Sequence, residues 1–386
     1  MLLSLRTRTA ARAFPALATA ALCLASAVPA ASAEPARPRS VEVPAGVVAA
    51  VAVFDRQTGT FTEQLDTTRQ FRAASVVKLL IALDHLWDRG PAYDIPSADR
   101  ARLDAMLRSS DDTAANHYWA QNGQGAIVDR MAARLGLTHT ARPPASHPGH
   151  WGYTALTAAD TVRIYRYLLD SAPAPVRDYV MGNLRQSTRC GADGFDQHFG
   201  TAGAFDRPWA VKQGWSGFDS GGCTATASAA GAPVTTAGDL RTEGADGVDL
   251  VREALHTTGT VGTGDRSIVA VLTLHPDGTP YGKAYTDLGR LVRSLDVPGG
   301  VRPTGTWFGT WGSGVRVRAL PTTESATLTT LPAGVEVLVG CQKRGRQVSV
   351  PPYTNDWWAY LPQYGGYITN IHISSPDNQL PGVRTC

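Results

Sequence analysis

The sequence predicts an α+β fold, an antiparallel sheet with helices, followed by a small all-β barrel. Two observations carry this. Strand-like alternation at 47–54 and 61–66 gives way to helical patterns between 76 and 169, then to strand-like runs at 209–214, 254–261 and 267–274 and a last helix at 283–295. Strands at both ends of a helical middle belong to one sheet. Beyond Pro298-Gly299-Gly300 and Pro303-Thr304-Gly305 the pattern changes to short strands with Gly and Pro turns.

The chain opens with Arg6, Arg8 and Arg12, an apolar stretch over 14–28 and Ala31-Ser32-Ala33. A basic head, a short apolar middle and a small-residue end read as a secretory signal peptide over 1–33, too short for a membrane anchor. Cys23 lies within it without a lipobox. The expectation is a secreted protein, extracellular or cell-wall associated, with no transmembrane segment after cleavage.

Of 36 basic residues, those three arginines leave with the signal, and the remaining 33 match the 33 acids. A neutral chain without a basic run argues against nucleic acid and polybasic membrane binding. The length of 386 residues favours two domains, with boundaries at 45–297 and 306–386 around a linker at 298–305.

In the first domain, 47–54 and 61–66 form a hairpin and 76–87 a buried helix. Helical stretches follow at 103–107 and 114–119 around a polar break, then amphipathic helices at 127–135 and 158–169, the second capped by Thr157. Four cysteines remain after the signal: Cys190, Cys223, Cys341 and Cys386. In an exported chain an even number suggests disulfides rather than metal ligands. Three pairings exist; proximity and the domain division favour Cys190 with Cys223 and Cys341 with Cys386.

After Thr306 the chain shows Val317-Arg318-Ala319-Leu320-Pro321, Leu331-Pro332-Ala333-Gly334, a W-x-x-L at Trp358 and Gly366-Tyr367-Ile368. The segment resembles a bacterial SH3-like domain of cell-wall proteins over most of 306–375. Trp307, Trp311, Trp357 and Trp358 serve either a ligand groove or the interior of a small barrel.

Chemistry centres on Ser75-Val76-Val77-Lys78 at the start of the buried helix. Positions i and i+3 share a helix face, so the Lys78 amine can take the Ser75 proton and turn an alcohol into a nucleophile. Ser110-Asp111-Asp112, continuing Thr-Ala-Ala-Asn, and Lys212-Gln213-Gly214-Trp215 follow in order. Together they resemble the S-x-x-K, S-D-N and K-T-G elements of class A β-lactamases and penicillin-binding DD-peptidases, over roughly 47–295.

The resemblance implies that Ser75 is acylated, that Lys78 accepts its proton and that Ser110 relays a proton to the leaving amine. It implies that Lys212 sets positive charge near a substrate carboxylate, and that the Ser75 and Trp215 N–H groups form an oxyanion hole. Asp111 reads as a helix cap, and Asn116 as a support of that turn.

Three departures stand out. Asp112 replaces an amide donor and cannot donate when ionised. Gln213 replaces a threonine, so a longer amide must bind the carboxylate. No glutamate occurs between Asp112 and Lys212, and the loop before Trp151, where the family carries its deacylating Glu, reads Arg142-Pro143-Pro144-Ala145-Ser146-His147-Pro148-Gly149-His150. His139, His147 and His150 lack helical spacing and read as loop histidines, not a metal site.

The expected function is therefore acyl transfer through Ser75 on D-amino-acid-containing cell-wall peptides, without a cofactor. Peptidoglycan peptides are the expected partners, with β-lactams as possible ligands; a β-lactamase and an inactive wall-binding protein are the rivals.

Overall fold

The computed structural model describes residues 41–223 and 248–386, so the signal-peptide reading and Cys23 fall outside the described residues. Strand β1 (Val48–Asp55) folds onto β2 (Thr60–Leu65) as a hairpin. A two-stranded bridge of β3 (Phe71–Arg72) with β4 (Ala155–Leu156) then holds the entry to a 3-10 turn, Ala74–Val77, which runs into α1 (Lys78–Trp87). Helices α2 (Ser97–Arg108), α3 (Asp112–Gln121), α4 (Gly125–Leu135), α5 (Ala158–Asp170), α6 (Ala174–Arg185) and the short α7 (Thr201–Ala204) fill the middle. Strands β5 (Trp209–Ser216), β6 (Ala254–Val261) and β7 (Ser267–Leu274) return to the sheet, and α8 (Tyr281–Ser294) closes the α+β part.

The sheet is antiparallel in the order β2-β1-β7-β6-β5, so strands from both ends of this region meet as the sequence predicts. Its two faces follow the period of two in each strand. Ala50, Ala52 and Phe54 of β1 join the core under α1 and α5, whereas Val51 and Val53 join the one under α8. Helix α1 is buried nearly all round, through Leu79, Leu80, Ile81, Ala82, Leu83 and Leu86. Each large apolar side chain so buried contributes about 1.5–3 kcal/mol, which makes α1 the fixed element on which the site is built.

Local signals explain the ends. Thr157 accepts the Asp160 N–H at 3.1 Å and opens α5, and Gly136, in the left-handed region at φ 65°, ends α4. The sequence reading leaves α6 unassigned. Pro173 and Pro175 look like turn residues there, and they obscure the stripe of Val176, Val180, Met181 and Leu184 that this helix buries.

Beyond residue 305 all regular strands are β: β8 (Thr306–Gly309), β9 (Arg316–Arg318), β10 (Thr327–Thr330), β11 (Glu336–Val339), β12 (Cys341–Val350), β13 (Tyr353–Leu361) and β14 (Gly366–Thr369). They pair as a five-stranded sheet, β10-β9-β14-β13-β12, and a separate pair, β11-β8. The small barrel expected here takes the form of two sheets, with no closed barrel formed among the described residues. Both line one interior, with Val317, Val337, Val339, Leu361 and Ile368 at its centre.

That interior is continuous with the core under α8, where Tyr285, Leu288 and Val292 pack. Buried polar contacts reinforce the seam. Arg189 pairs with Asp196 at 3.2 Å and lies over the Tyr364 ring, whose hydroxyl donates to the same carboxylate at 3.0 Å. Both disulfides, Cys190–Cys223 and Cys341–Cys386, are formed as proximity favours. In the chain-entropy account, loops of this size stabilise by about 3–4 kcal/mol each.

Gly282, on α8, approaches the β-rich part so closely that an added Cβ would lie 2.0 Å from the Ala333 carbonyl oxygen. Glycine to alanine inside a helix ordinarily stabilises by about 1 kcal/mol. Here Gly282→Ala is expected to destabilise by about 2 kcal/mol through overpacking, measured by denaturant unfolding; a stabilised variant would show that the seam yields.

Candidate functional site

The site grows from a left-handed turn. Ala74, at φ 44°, is one of six described non-glycine residues with positive φ, and Ser110, at φ 57°, is another. Such backbone costs about 1–3 kcal/mol per residue and persists only where packing enforces it. Behind the first turn, Arg72 is buried, with its guanidinium donating to Ser216 Oγ at 2.7 Å, the Asp249 carbonyl at 3.0 Å and the Arg252 carbonyl. Burial lowers Arg72 to about 10, and these acceptors take the place of a carboxylate partner.

Ser75 sits one turn before Lys78, and the Lys78 Nζ donates to Ser75 Oγ at 2.9 Å. The same nitrogen, fully buried, contacts the Ser110 carbonyl at 2.6 Å, Ser110 Oγ at 3.3 Å and Asp112 Oδ1 at 2.5 Å. Asp112 opens α3, and its carboxylate remains 43% exposed, so the ion pair runs from the core to the surface. Asp111 caps α3 by accepting the Ala114 N–H at 2.7 Å.

Lys212 comes from β5, the edge strand, and donates to Ser110 Oγ at 2.7 Å. The Ser110 hydroxyl therefore lies between two lysine amines. Burial, with the Lys78 charge adding to it, pushes Lys212 well below its usual range. That favours a neutral amine and works against the positive charge expected there. Gly214 lets β5 approach, since a Cβ would lie 3.0 Å from the Ala73 carbonyl oxygen and 3.3 Å from the Ser75 nitrogen.

Strand parity separates the remaining residues of that motif. Lys212 and Gly214 face Ser75, while Gln213 and Trp215 point to the α8 side. Gln213 is buried and donates to the carbonyls of Phe199 at 2.8 Å and Gln197 at 3.1 Å, so its amide is not brought to the cleft. The Trp215 indole donates to Asp193 Oδ2 at 2.9 Å. The protein packed around Asp193 raises its carboxyl above the usual range, with Asp112 adding and Trp215 opposing.

Two residues complete the surroundings of Lys78 unforeseen. The Trp151 ring lies over its Nζ at 4.6 Å, and the Trp151 indole donates to Asn116 Oδ1 at 2.7 Å. Asn116 thus anchors Trp151 rather than its own turn. In sequence, Trp151 marks only the end of a loop lacking glutamate; its position over Lys78 depends on a turn joined 76 positions away by folding, and no local pattern encodes it.

His147 and His150 lie against Tyr153 at ring separations of 5.4 and 5.3 Å. Burial, then His147, lowers His150 and favours its neutral form. Among the described residues no group of three His, Cys, Asp or Glu side chains is placed to hold a metal. In the β-rich part Trp358 is buried with its indole donating to the Arg346 carbonyl, whereas Trp311 is exposed and meets Tyr353 and His372. Trp307 lies under Arg293, and Trp357 under Arg344.

No protein-family model matches the chain. Over 175 residues it is 41% identical to "Putative lipoprotein LppW" of Mycobacterium tuberculosis and of Mycobacterium bovis, a stretch covering 44% of this chain and 54% of each relative. The chain thus spans about half the length of the curated relatives it matches. Among solved structures it is similar to a class A β-lactamase from Mycobacterium abscessus, at 17% identity and TM-score 0.46, covering 64% of this chain and 92% of that one. It is also similar to PBP-A, at 13% identity and TM-score 0.45, covering 66% and 90% of the two chains.

A lysine whose pKa is lowered by burial links stability to pH. Below the usual lysine value of 10.5 the unfolded chain keeps a proton that folded Lys212 gives up, so stability contributed here rises with pH toward 10.5. Lys212→Met is expected to lose that alkaline gain, read from urea midpoints between neutral pH and pH 10; parallel profiles for the two proteins would contradict a depressed amine.

Proposed function

We propose that the chain is an exported serine hydrolase of the penicillin-recognising type, acting through a Ser75 acyl-enzyme on D-amino-acid-containing cell-wall peptides. The observation that carries the reading is the unbroken series Ser75 Oγ, Lys78 Nζ, Ser110 Oγ, Lys212 Nζ, each pair within 3.3 Å. Nucleophile, base and relay lie within proton-transfer reach.

Acylation starts with Lys78 handing a proton to Asp112. Ser75 Oγ then attacks the peptide carbonyl as its own proton passes to the Lys78 amine. The Ser75 and Trp215 N–H groups hold the developing oxyanion, Trp215 lying on the open edge of the sheet. Ser110 protonates the leaving amine and takes the Lys78 proton in return. The C–N bond breaks, and the serine's proton has in effect moved to the leaving group. No step calls for a cofactor.

The module at 306–386 is proposed as an SH3-like wall tether that presents the 45–297 hydrolase to peptidoglycan, with 298–305 as the connection. Its continuous core with α8 supports a fixed presentation rather than a swinging one. The lipoprotein designation of the matching relatives is in keeping with export. The 2.5 Å Lys78–Asp112 pair favours a second reading, a wall-binding protein whose base is tied up.

Labelling with a fluorescent penicillin separates the two. Wild type is expected to carry a covalent label, Ser75→Ala none, and Lys78→Met to acylate roughly 10³-fold more slowly. Absence of any adduct by intact-mass spectrometry, with wall sedimentation retained, would favour the binding protein. Asp112→Asn removes the carboxylate that takes the Lys78 proton, so its acylation is expected to be about tenfold slower, for about 1.4 kcal/mol of barrier; a faster variant would show that the carboxylate only ties up the base.

A further inference from the structure

We propose that Trp151 closes the water side of Lys78, so that the Ser75 acyl-enzyme is passed to an amine acceptor in preference to water. The inference rests on Ser75 being the nucleophile.

Hydrolysis of a serine ester needs a water with a base beside it. Lys78 is the basic group nearest Ser75, and its surroundings are full: three side-chain oxygens, one carbonyl and the face of an indole enclose a nitrogen that bears at most three protons. Of these five neighbours only the indole offers no lone pair on which a water could be held. Trp151 is no loose lid. Asn116 fixes its N–H from α3, and the Trp151–Tyr153 turn packs on the nucleophile's turn, an added Gly152 Cβ lying 3.7 Å from the Ala74 Cα.

The other side of Ser75 differs. Ser110 Oγ lies between Lys78 and Lys212, on the route by which the leaving amine takes its proton. An incoming amine retraces that route. Its nitrogen attacks the ester carbonyl while its proton goes to Ser110, which passes its own to Lys78; the C–Oγ bond then breaks, and Ser75 recovers that proton from Lys78. A new amide and free Ser75 result, with Lys78 again the free amine. Removing the indole admits a water whose proton goes to Lys78 as its oxygen attacks the same carbonyl, giving a carboxylic acid and free Ser75.

The test uses the full mature chain, acylated with benzylpenicillin and followed by intact-mass spectrometry, with D-alanine as the added acceptor. Wild-type adduct is expected to persist in buffer and to clear faster as D-alanine is raised, yielding the penicilloyl amide. Trp151→Ala is expected to lose adduct to water at least about tenfold faster, with a lower share of amide, and Trp151→Phe, which keeps a ring face, to stay within about threefold of wild type. Asn116→Leu removes only the indole's anchor and should fall between them, so the inference stays testable should Trp151→Ala not fold. Unchanged adduct lifetime and unchanged amide share in folded variants would overturn the role of Trp151 while leaving Ser75 as nucleophile. Failure of wild type to form any adduct would overturn both.

Discussion

Lys78 must be buried beside Ser75, and a buried ammonium is tolerated only when its charge is met. Most of the site follows from that requirement. Asp112 supplies the opposite charge from the first turn of α3, the Ser110 carbonyl supplies a second acceptor from a left-handed turn, and Trp151 supplies its π face. Three separate segments, at 75–78, 110–112 and 151, are thereby tied to one nitrogen. The strained backbone at Ala74 and Ser110 is sustained by the same convergence.

The second determinant is the edge of the sheet. Strand β5 has a partner on one side only, and its other edge rests against the Ser75 turn because Gly214 carries no side chain to hold it off. The opposite face of β5 is buttressed through Trp215 and Asp193 by a segment stapled at Cys190–Cys223 and pinned by Arg189, Asp196 and Tyr364. The C-terminal module therefore reaches the wall of the site through direct packing.

A carboxylate in place of an amide at Asp112, and an indole where a general base would serve hydrolysis, alter the same lysine in related ways. In the proposed reaction one takes the Lys78 proton and the other excludes water. Neither disturbs the series from Ser75 to Lys212 on which the proposed acylation rests.

The strand and helix periodicities, the three motifs, both cysteine pairings and the caps at Asp111 and Thr157 were legible in the sequence, because each depends on spacing along the chain or on residues close in sequence. The α6 stripe was obscured by its prolines, and the pairing of the C-terminal strands into two sheets was not legible because short strands of similar pattern do not specify their partners. Tertiary structure alone decided three things. It turned Gln213 to the α8 face, since side-chain direction in a strand is set by which neighbour packs on each side. It brought Asn116 and Trp151 together over Lys78, and it fused the C-terminal interior with the core under α8. Contacts between residues far apart in sequence carry no local period, so only the folded chain reveals what surrounds Ser75 and Lys78.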